Sequence, residues 1–246
     1  YVHGCDDLTW DGIYVKPVGQ LIMIESTIED PSVAIDLDQS RFEGFLNEIY
    51  SNGTGINARN RSVLLSAGNR IIGTGSGDGI ILNDSDLLMG GGQAILSRFD
   101  HEITNFTNGI SARNSSNITS RLIFFNKIHG NDTGIELYEA SSLIFVSPSN
   151  NEPSIYNNDV GIYAEQSNLV IQNTSLDNNS IYGIQWTAVN GSGVEVSNCA
   201  ISNLAFGFVG SGGGSSITIN DNRRIENSFF NDNFNDIVIA STEQFK

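Results

Sequence analysis

Charged residues are scarce in this sequence. They make up 16% of the chain, against about 25% in typical soluble domains, and Gly, Asn and Ser take their place. That mixture disfavours helices and suits tight turns. No segment of helical length shows an apolar period of 3.6 residues, so the sequence favours an all-β fold.

Basic residues are the scarcer of the two charge types. Twelve Lys and Arg stand against 28 Asp and Glu, which gives a formal net charge of −16. A phosphate backbone would be repelled by this surplus, and so would an anionic membrane surface. No apolar run is long enough for a membrane helix. We therefore expect no nucleic-acid partner and no direct membrane insertion.

What the sequence does contain is one short phrase that recurs along its whole length. Asn131-Asp132-Thr133-Gly134-Ile135 shows it most clearly: a polar turn, a glycine, then a strand beginning with Ile. Successive versions lie 21 to 30 residues apart, and self-similarity at such a period indicates a solenoid. The versions begin at Gly12, Ala34, Gly55, Gly79, Gly109, Gly134, Gly161, Gly183, Gly207 and Asp236.

Each period contains three short runs rich in β-branched or aromatic residues, separated by Gly, Asn, Ser or Asp. Runs of this kind read as strands bounded by turns. Stacked periods would pair each strand with its equivalent one coil further on. The sequence therefore predicts a right-handed single-stranded parallel β-helix of about ten coils with three short parallel sheets. Its hand follows the usual crossover preference.

Only two cysteines are present, Cys5 and Cys199. In a solenoid they would lie about eight coils apart, which at roughly 4.8 Å per coil is on the order of 40 Å. A disulfide needs Cα atoms about 4.4–6.8 Å apart. We expect no bond between them, with Cys199 in the core and the partner of Cys5 outside this sequence.

The repeat spans residues 1–246 as a single domain. No signal peptide or initiator Met is visible, and Tyr1 begins in the middle of the pattern. We therefore expect a segment of a longer chain whose other domains are its partners. The last seven residues, 240–246, are too few to cap a solenoid well. Association into a homo-oligomer or filament is the alternative way to cover the exposed strand edges.

The phrase also predicts two internal columns. The Ile of each repeat should lie in one buried stack, which comprises Ile56, Ile80, Ile110, Ile135, Ile162, Ile184 and Phe208. An Asn stands three or four residues before six of these steps, and stacked amides can form a hydrogen-bonded ladder. The predicted ladder comprises Asn52, Asn105, Asn131, Asn157, Asn179 and Asn203.

Asn-x-x-Gly-Ile, followed by Ser-x-Leu-x-Ile and a later Asn-rich strand, resembles the parallel β-helix repeats of pectate-lyase-like proteins and bacterial surface proteins. The opening residues 10–21, which begin Trp10-Asp11-Gly12-Ile13, together with Ser26-Thr27-Ile28-Glu29-Asp30, are similar to β-helix segments of very large secreted proteins of the Bacteroidetes type, exported by the type IX system. The first resemblance covers nearly the whole chain and the second about 30 residues. Together they imply an extracellular, cell-surface location.

Ligands of such folds usually lie on the outer face of the sheet that starts with Gly-Ile. Residues between and after the inward Ile positions point outward there. One part of this face combines aromatic rings with carboxylates, as a sugar site does: Arg113, Glu136, Tyr138, Tyr163 and Glu165. Were the protein an enzyme, Glu136 and Glu165 would be the acid–base pair of glycoside hydrolysis, with Arg113 beside them.

No metal or cofactor motif is complete. Asp84 and Asp86 place oxygen ligands close together in a turn and are the candidate calcium ligands, although they do not match the twelve-residue calcium loop. The three His residues lie in distant repeats, which disfavours zinc or a catalytic triad. We expect no cofactor other than calcium.

The sequence thus favours a non-catalytic extracellular module of a structural or adhesive surface protein, which serves spacing, adhesion, assembly or binding of a surface glycan. The alternative is a polysaccharide lyase or glycoside hydrolase acting on an acidic polysaccharide. The full repeat without a complete catalytic set supports the first interpretation, and the patch from Arg113 to Glu165 supports the second.

Overall fold

Each coil of the protein contains three short β-strands, and each strand pairs in parallel with its equivalent one coil further on. The structure, a computed structural model, describes residues 2–3, 10–90, 100–120, 126–148, 152–188, 192–202, 206–212, 224–226, 229–231 and 235–241. No helix occurs among these residues. The predicted all-β parallel solenoid with three sheets is confirmed.

Sheet 1 is formed by the strands of the Gly-Ile phrase. Its ten described strands are β2 (Ile13–Val15), β5 (Val33–Asp38), β8 (Thr54–Arg59), β11 (Asp78–Asn83), β14 (Asn108–Arg113), β17 (Thr133–Leu137), β20 (Val160–Glu165), β23 (Tyr182–Ala188), β26 (Phe206–Gly212) and β29 (Asn235–Ser241).

Sheet 2 follows sheet 1 in each coil. Its nine described strands are β3 (Gln20–Ile24), β6 (Arg41–Phe45), β9 (Val63–Ala67), β12 (Asp86–Met89), β15 (Asn117–Ser120), β18 (Ser142–Val146), β21 (Asn168–Gln172), β24 (Val194–Ser197) and β27 (Arg224–Glu226).

Sheet 3 completes the coil. Its ten described strands are β1 (Val2–His3), β4 (Thr27–Glu29), β7 (Glu48–Tyr50), β10 (Arg70–Ile72), β13 (His101–Thr104), β16 (Asn126–His129), β19 (Pro153–Tyr156), β22 (Ser175–Asp177), β25 (Ala200–Ser202) and β28 (Phe229–Asn231).

The Ile of the repeated phrase forms a continuous column inside sheet 1. Ile135 lies in register with Ile110 on one side and Ile162 on the other, and none of the three is exposed to solvent. The same register links Ile13, Ile35, Ile56, Ile80, Ile110, Ile135, Ile162, Ile184, Phe208 and Ile237. The isoleucines of this column from Ile35 to Ile184 are fully buried, and full burial of one such side chain stabilises the fold by about 1.5–3 kcal/mol.

The glycine that precedes this Ile is required by the close approach of neighbouring coils. A Cβ added at Gly134 would lie 2.6 Å from the carbonyl oxygen of Gly161, and one at Gly109 would lie 2.5 Å from that of Gly134. Both distances are far inside van der Waals contact. At Gly109 and Gly134 glycine is required because the next coil's backbone occupies the space of a side chain.

A second inward column of sheet 1, two residues further along each strand, alternates large and small side chains. From β5 to β26 its members are Leu37, Ala58, Leu82, Ala112, Leu137, Ala164, Trp186 and Gly210, in register order, and Val15 of β2 stands before Leu37 without a small residue between them. Alternation of this kind lets large side chains fill the space that small neighbours leave. Trp186 is buried, and its indole Nε1–H donates to the carbonyl oxygen of Ser167 at 3.2 Å.

The corner between sheets 3 and 1 contains an asparagine ladder. Asn131 donates its amide to Oδ1 of Asn158 at 3.1 Å, and Asn158 donates to Oδ1 of Asn179 at 2.9 Å. All three are buried. Their Oδ1 atoms also accept backbone N–H groups of the preceding coil, including that of Phe106. The ladder thus satisfies buried donors that no strand pairs.

The ladder prediction is wrong for Asn52, Asn105 and Asn157, which are exposed. Asn105 and Asn157 adopt positive φ, of 65° and 55°, and so occupy the left-handed turn position directly before the inward residue. Asn tolerates that conformation. At the corner of Asn52 it is Ser51 that is buried, and Asn52 donates to Asp30 instead. Asn203 lies outside the described residues.

The corner between sheets 1 and 2 holds a serine ladder that was not predicted. The backbone N–H of Ser40 donates to Oγ of Ser62 at 3.1 Å, that of Ser62 to Ser85 at 3.2 Å, and that of Ser85 to Ser116 at 3.1 Å. The buried serines of this corner are Ser40, Ser62, Ser85, Ser116, Ser141 and Ser167. Each follows one or two residues of positive φ that turn the chain inward.

The corner between sheets 2 and 3 buries a histidine. His101 Nε2 lies 2.6 Å from Oγ of Ser66, which in turn accepts the side-chain amide of Asn69 at 2.8 Å. Burial lowers the pKa of His101 to about 4, against the opposing charge of Glu102. The imidazole is therefore neutral at physiological pH.

Cys199 lies at the same kind of corner and is buried, as expected for a small core residue. Its thiol donates to the carbonyl oxygen of Ile171 at a Sγ···O distance of 3.5 Å. Burial raises the pKa of Cys199 to about 11, so the thiol stays protonated at neutral pH. Cys5 lies outside the described residues.

The isoleucine column gives a test of the register. Ile135→Asp places an unpaired carboxylate among buried aliphatic side chains, and should lower the free energy of unfolding by several kcal/mol, roughly 3 or more. Ile144→Asp is the matched control, because Ile144 points outward from sheet 2 and is 43% exposed. Urea denaturation of both variants measures the difference. Equal losses would contradict the register.

His101 gives a pH-dependent prediction. An unfolded chain binds a proton on this imidazole below about pH 6.5, whereas the folded chain resists it down to about 4. Stability should therefore fall as pH drops through this window. His101→Asn should remove that component from the pH dependence of the unfolding free energy.

Glu102→Gln is the control for this measurement. Burial opposes ionisation of Glu102, but hydrogen bonds from Arg70 and His129 outweigh it and lower the pKa of Glu102. The stability that this carboxylate contributes is lost only at a pH lower than that at which the His101 component begins to be lost. The control should retain the His101 component. An unchanged acid profile in His101→Asn would refute the assignment.

Candidate functional site

The outer face of sheet 1 brings the five predicted site residues together across three adjacent strands. Glu136 of β17 lies in register with Ser111 of β14 and Tyr163 of β20. Arg113, Tyr138 and Glu165 follow two residues further along each strand, so they form the next outward column. Equivalent positions of adjacent coils are about 4.8 Å apart, which makes the group contiguous.

Glutamate and tyrosine alternate in this group. β17 carries Glu136, and Tyr138 directly follows its last residue, whereas β20 carries Tyr163 and then Glu165. The Tyr138 hydroxyl donates to Oε1 of Glu136 at 2.9 Å, and the Tyr163 hydroxyl donates to Oε2 of Glu165 at 3.2 Å. Ser111 donates to the other oxygen of Glu136 at 3.2 Å. Each carboxylate is therefore held by the tyrosine two residues away in its own coil, and Glu136 also by Ser111 of the neighbouring strand.

The two tyrosine rings form a fixed aromatic surface. Their centroids lie 5.5 Å apart with an interplanar angle of 53°, within the range of favourable aromatic pairs. Burial, with the hydrogen bond and charge of Glu136, raises the pKa of Tyr138 far above its usual value. Burial, with the charge of Glu165, raises the pKa of Tyr163. Both hydroxyls remain donors at any physiological pH.

An open cavity of about 600 Å³ lies over this surface. Arg113, Glu136, Tyr138 and Glu165 line it, and so do three residues that sequence reasoning missed, Asn108, Glu139 and Gln166. The repeat register could have identified these three residues, because Asn108 directly precedes Gly109, and Glu139 and Gln166 directly follow the second outward column. The cavity is within the range of small-molecule sites, about 300–1,000 Å³.

Arg113 differs from a second arginine on the same face. The Arg59 guanidinium lies 6.0 Å from the ring centroid of Tyr14, and donates to Asp36 at 2.7 Å. Arg113 lies 6.0 Å from the ring centroid of Tyr138. In the part of the chain that the structure describes, however, Arg113 makes no ion pair. Its charge is exposed and available to a ligand.

The candidate calcium ligands lie in the turn before sheet 2 and at its first residue. Asp84 has a φ of 49° and lies 3.8 Å from the Arg61 guanidinium, whereas Asp86 accepts the amide of Asn117 at 2.7 Å. Across the described ranges, no three His, Cys, Asp or Glu side chains are grouped as metal ligands. A calcium site at Asp84 and Asp86 stays a prediction.

The geometry suits recognition of a polyhydroxylated ligand. Aromatic faces pack against apolar patches of sugar rings, while fixed carboxylates, the amides of Asn108 and Gln166, and the Arg113 guanidinium exchange hydrogen bonds with hydroxyls. The same two carboxylates could serve as acid and base, because glycosidases use such a pair.

Fold and site together define an all-β solenoid with a polar cleft on one sheet. The model of a family described as "Right handed beta helix region" matches residues 88–244, which is more than half of the chain and includes the cleft. The chain belongs to this family, and the match confirms the predicted right-handed β-helix. No curated protein and no solved structure matches the chain.

The coils of residues 10–87 lie outside the family match but continue the same three sheets. Among the residues that the structure describes, no helix is long and apolar enough to span a membrane.

The raised pKa of Tyr138 predicts how stability changes at alkaline pH. The unfolded chain loses this phenolic proton near pH 10, about the usual value, whereas the folded chain keeps it to higher pH. Stability should therefore fall above about pH 10. Tyr138→Phe should make the loss of unfolding free energy above pH 10 smaller, as measured by denaturation. Tyr14→Phe is the matched control, because it also removes the hydroxyl of an outward tyrosine. An identical slope in Tyr138→Phe and wild type would contradict the part-buried hydrogen bond from Tyr138 to Glu136.

Proposed function

We propose that the chain is a non-catalytic β-helix module that binds glycan in the cleft of sheet 1, as part of an extracellular structural or adhesive protein. The observation that carries the proposal is the alternation of Glu136, Tyr138, Tyr163 and Glu165. Both carboxylates accept a tyrosine hydroxyl from their own strand, so rings and acceptors are fixed before any ligand arrives. Preorganisation lowers the entropy cost of binding.

The solenoid itself supports a spacing or adhesive role. In the part of the chain that the structure describes, neighbouring coils hydrogen-bond through three sheets, and buried serine and asparagine ladders brace two of the corners. Such a rod holds its cleft at a fixed distance along the axis. The extracellular location follows from the resemblance of the opening residues to segments of large secreted proteins, and belongs to the same proposal.

The second candidate is a polysaccharide-degrading enzyme, and one observation favours it. Glu136 and Glu165 stand diagonally on neighbouring strands, two residues apart along the chain direction. Diagonal neighbour positions in a sheet are roughly 7–8 Å apart, and the carboxyl groups of inverting glycosidases are about 6.5–9.5 Å apart.

Binding and turnover measurements distinguish the two candidates. Glycan-array screening followed by titration should identify oligosaccharides whose affinity falls at least tenfold in Tyr138→Ala, about 1.4 kcal/mol. Tyr14→Ala is the matched control, because Tyr14 is an outward tyrosine of the same sheet beside Arg59, five strands away in sheet order. Its affinity should be unchanged. Absence of glycan binding, or equal loss in both variants, would overturn the proposal.

Turnover is measured as new reducing ends or unsaturated products from a polysaccharide panel, with and without calcium. We expect none. Product formation that disappears in Glu136→Gln or Glu165→Gln would instead establish the enzyme.

A further inference from the structure

The cleft carries a surplus of negative charge at its lining. Glu136, Glu139 and Glu165 contribute three carboxylates, and Arg113 is the single cation among the lining residues. The rest of the chain adds to this field, since the formal net charge is −16. A ligand with carboxylate groups would be repelled by the carboxylates of the cleft and by the net negative charge of the chain, while a cation would be attracted.

Two of these carboxylates, those of Glu139 and Glu165, have oxygens that can accept hydrogen bonds from a ligand. Glu136 has one donor on each oxygen, from Tyr138 and Ser111. Glu165 accepts Tyr163 only at Oε2, so its Oε1 has no donor among the described residues. The Glu139 carboxylate likewise has no hydrogen-bond or ion-pair partner in the described part of the chain, and its residue is exposed.

Glu139 and Glu165 are neighbours on adjacent coils. The backbone N–H of Ala140 donates to the carbonyl oxygen of Gln166 at 3.0 Å, which places Glu139 opposite Gln166, and Glu165 directly precedes Gln166. Glu165 is therefore a diagonal neighbour of Glu139, and like charges on neighbouring strands repel each other. No cation of the described chain neutralises this pair, whereas at the corresponding outward position Asp38 has the Arg59 guanidinium 3.8 Å away. A bound cation would remove the repulsion.

We propose that the cleft recognises glycans with free amino groups, whose ammonium ions contact Glu139 and Glu165 while the sugar ring packs against Tyr138. This inference rests on the proposed function and deepens it by naming the ligand class. Asn108, Gln166 and Arg113 supply hydrogen-bond partners for ring hydroxyls around the ammonium. Acidic polysaccharides are disfavoured ligands for the same reason of charge.

The test is isothermal titration with three length-matched probes: an oligomer of glucosamine, an oligomer of N-acetylglucosamine and an oligomer of galacturonate. At mildly acidic pH, where the amine is protonated, the glucosamine oligomer should bind at least tenfold tighter than the acetylated one. The galacturonate oligomer should not bind. Added salt should weaken the glucosamine complex, because partly exposed charge pairs are screened.

Charge-removing variants locate the contact. Glu139→Gln and Glu165→Gln should each weaken glucosamine binding about fivefold to tenfold, which corresponds to about 1 to 1.4 kcal/mol. Neither should change binding of the acetylated oligomer by a comparable factor. Asp38→Asn is the matched control, because Asp38 occupies the same outward column as Glu165 beside Arg59. Its affinity for glucosamine oligomers should equal that of wild type.

The outcomes separate this inference from the proposed function. Equal affinity for acetylated and free-amine oligomers, or preference for galacturonate, overturns the inference and leaves a glycan-binding module. Oligolysine that binds as tightly as oligoglucosamine, with the same loss in the variants, also overturns it, because general cation attraction then suffices. Failure of all three glycans to bind, together with a blank glycan array, overturns both.

Discussion

The whole structure depends on the hydrogen bonding of each strand to its equivalent one coil away. This pairing places identical positions of the repeat on top of one another, so Ile stacks on Ile and Ser on Ser along the axis. It also sets the coil separation, because neighbouring strands lie roughly 4.7–4.9 Å apart. A side chain at a given position of the repeat must therefore be able to pack against the same residue type in the coils directly above and below it.

The corners show why this constraint selects particular residues. Where the chain leaves one sheet for the next, backbone N–H groups lose strand partners and would be buried without a hydrogen bond. Asn131 and Ser62 supply side-chain oxygens that accept such groups from the preceding coil. A short amide or hydroxyl reaches one coil and no further, and so the corners favour Asn and Ser over longer polar side chains.

The fold and the register of sheet 1 could be predicted because the Gly-Ile phrase is tied to a single backbone geometry. Gly134 has no room for a Cβ, and Ile135 must point inward, so every later residue of the strand has a known side. The outward grouping of Arg113, Glu136 and Glu165 follows by counting. Their contacts with Tyr138, Tyr163 and Ser111 needed only the additional knowledge of which strands are adjacent.

The buried residues of the corners could not be predicted, because a shift of one residue along the chain reverses whether a side chain points inward or outward. Asn157 and Asn158 are adjacent and chemically identical, yet a positive φ at Asn157 exposes the first and buries the second. Sequence spacing alone could not decide between them. Glu139 escaped notice for a related reason, since it lies in the left-handed turn beyond the last strand residue, where the alternation of a strand no longer applies.

The alternation of large and small side chains in the second inward column of sheet 1 has a consequence for how such a chain can change in length. Leu137 lies between Ala112 and Ala164, and Leu82 lies between Ala58 and Ala112. Deleting one coil would bring two leucines, or two alanines, into direct register, with overcrowding in one case and a void in the other. Between β8 and β20, the unit that can be duplicated or removed without repacking this column is therefore a pair of coils, which is twice as long as the visible sequence repeat.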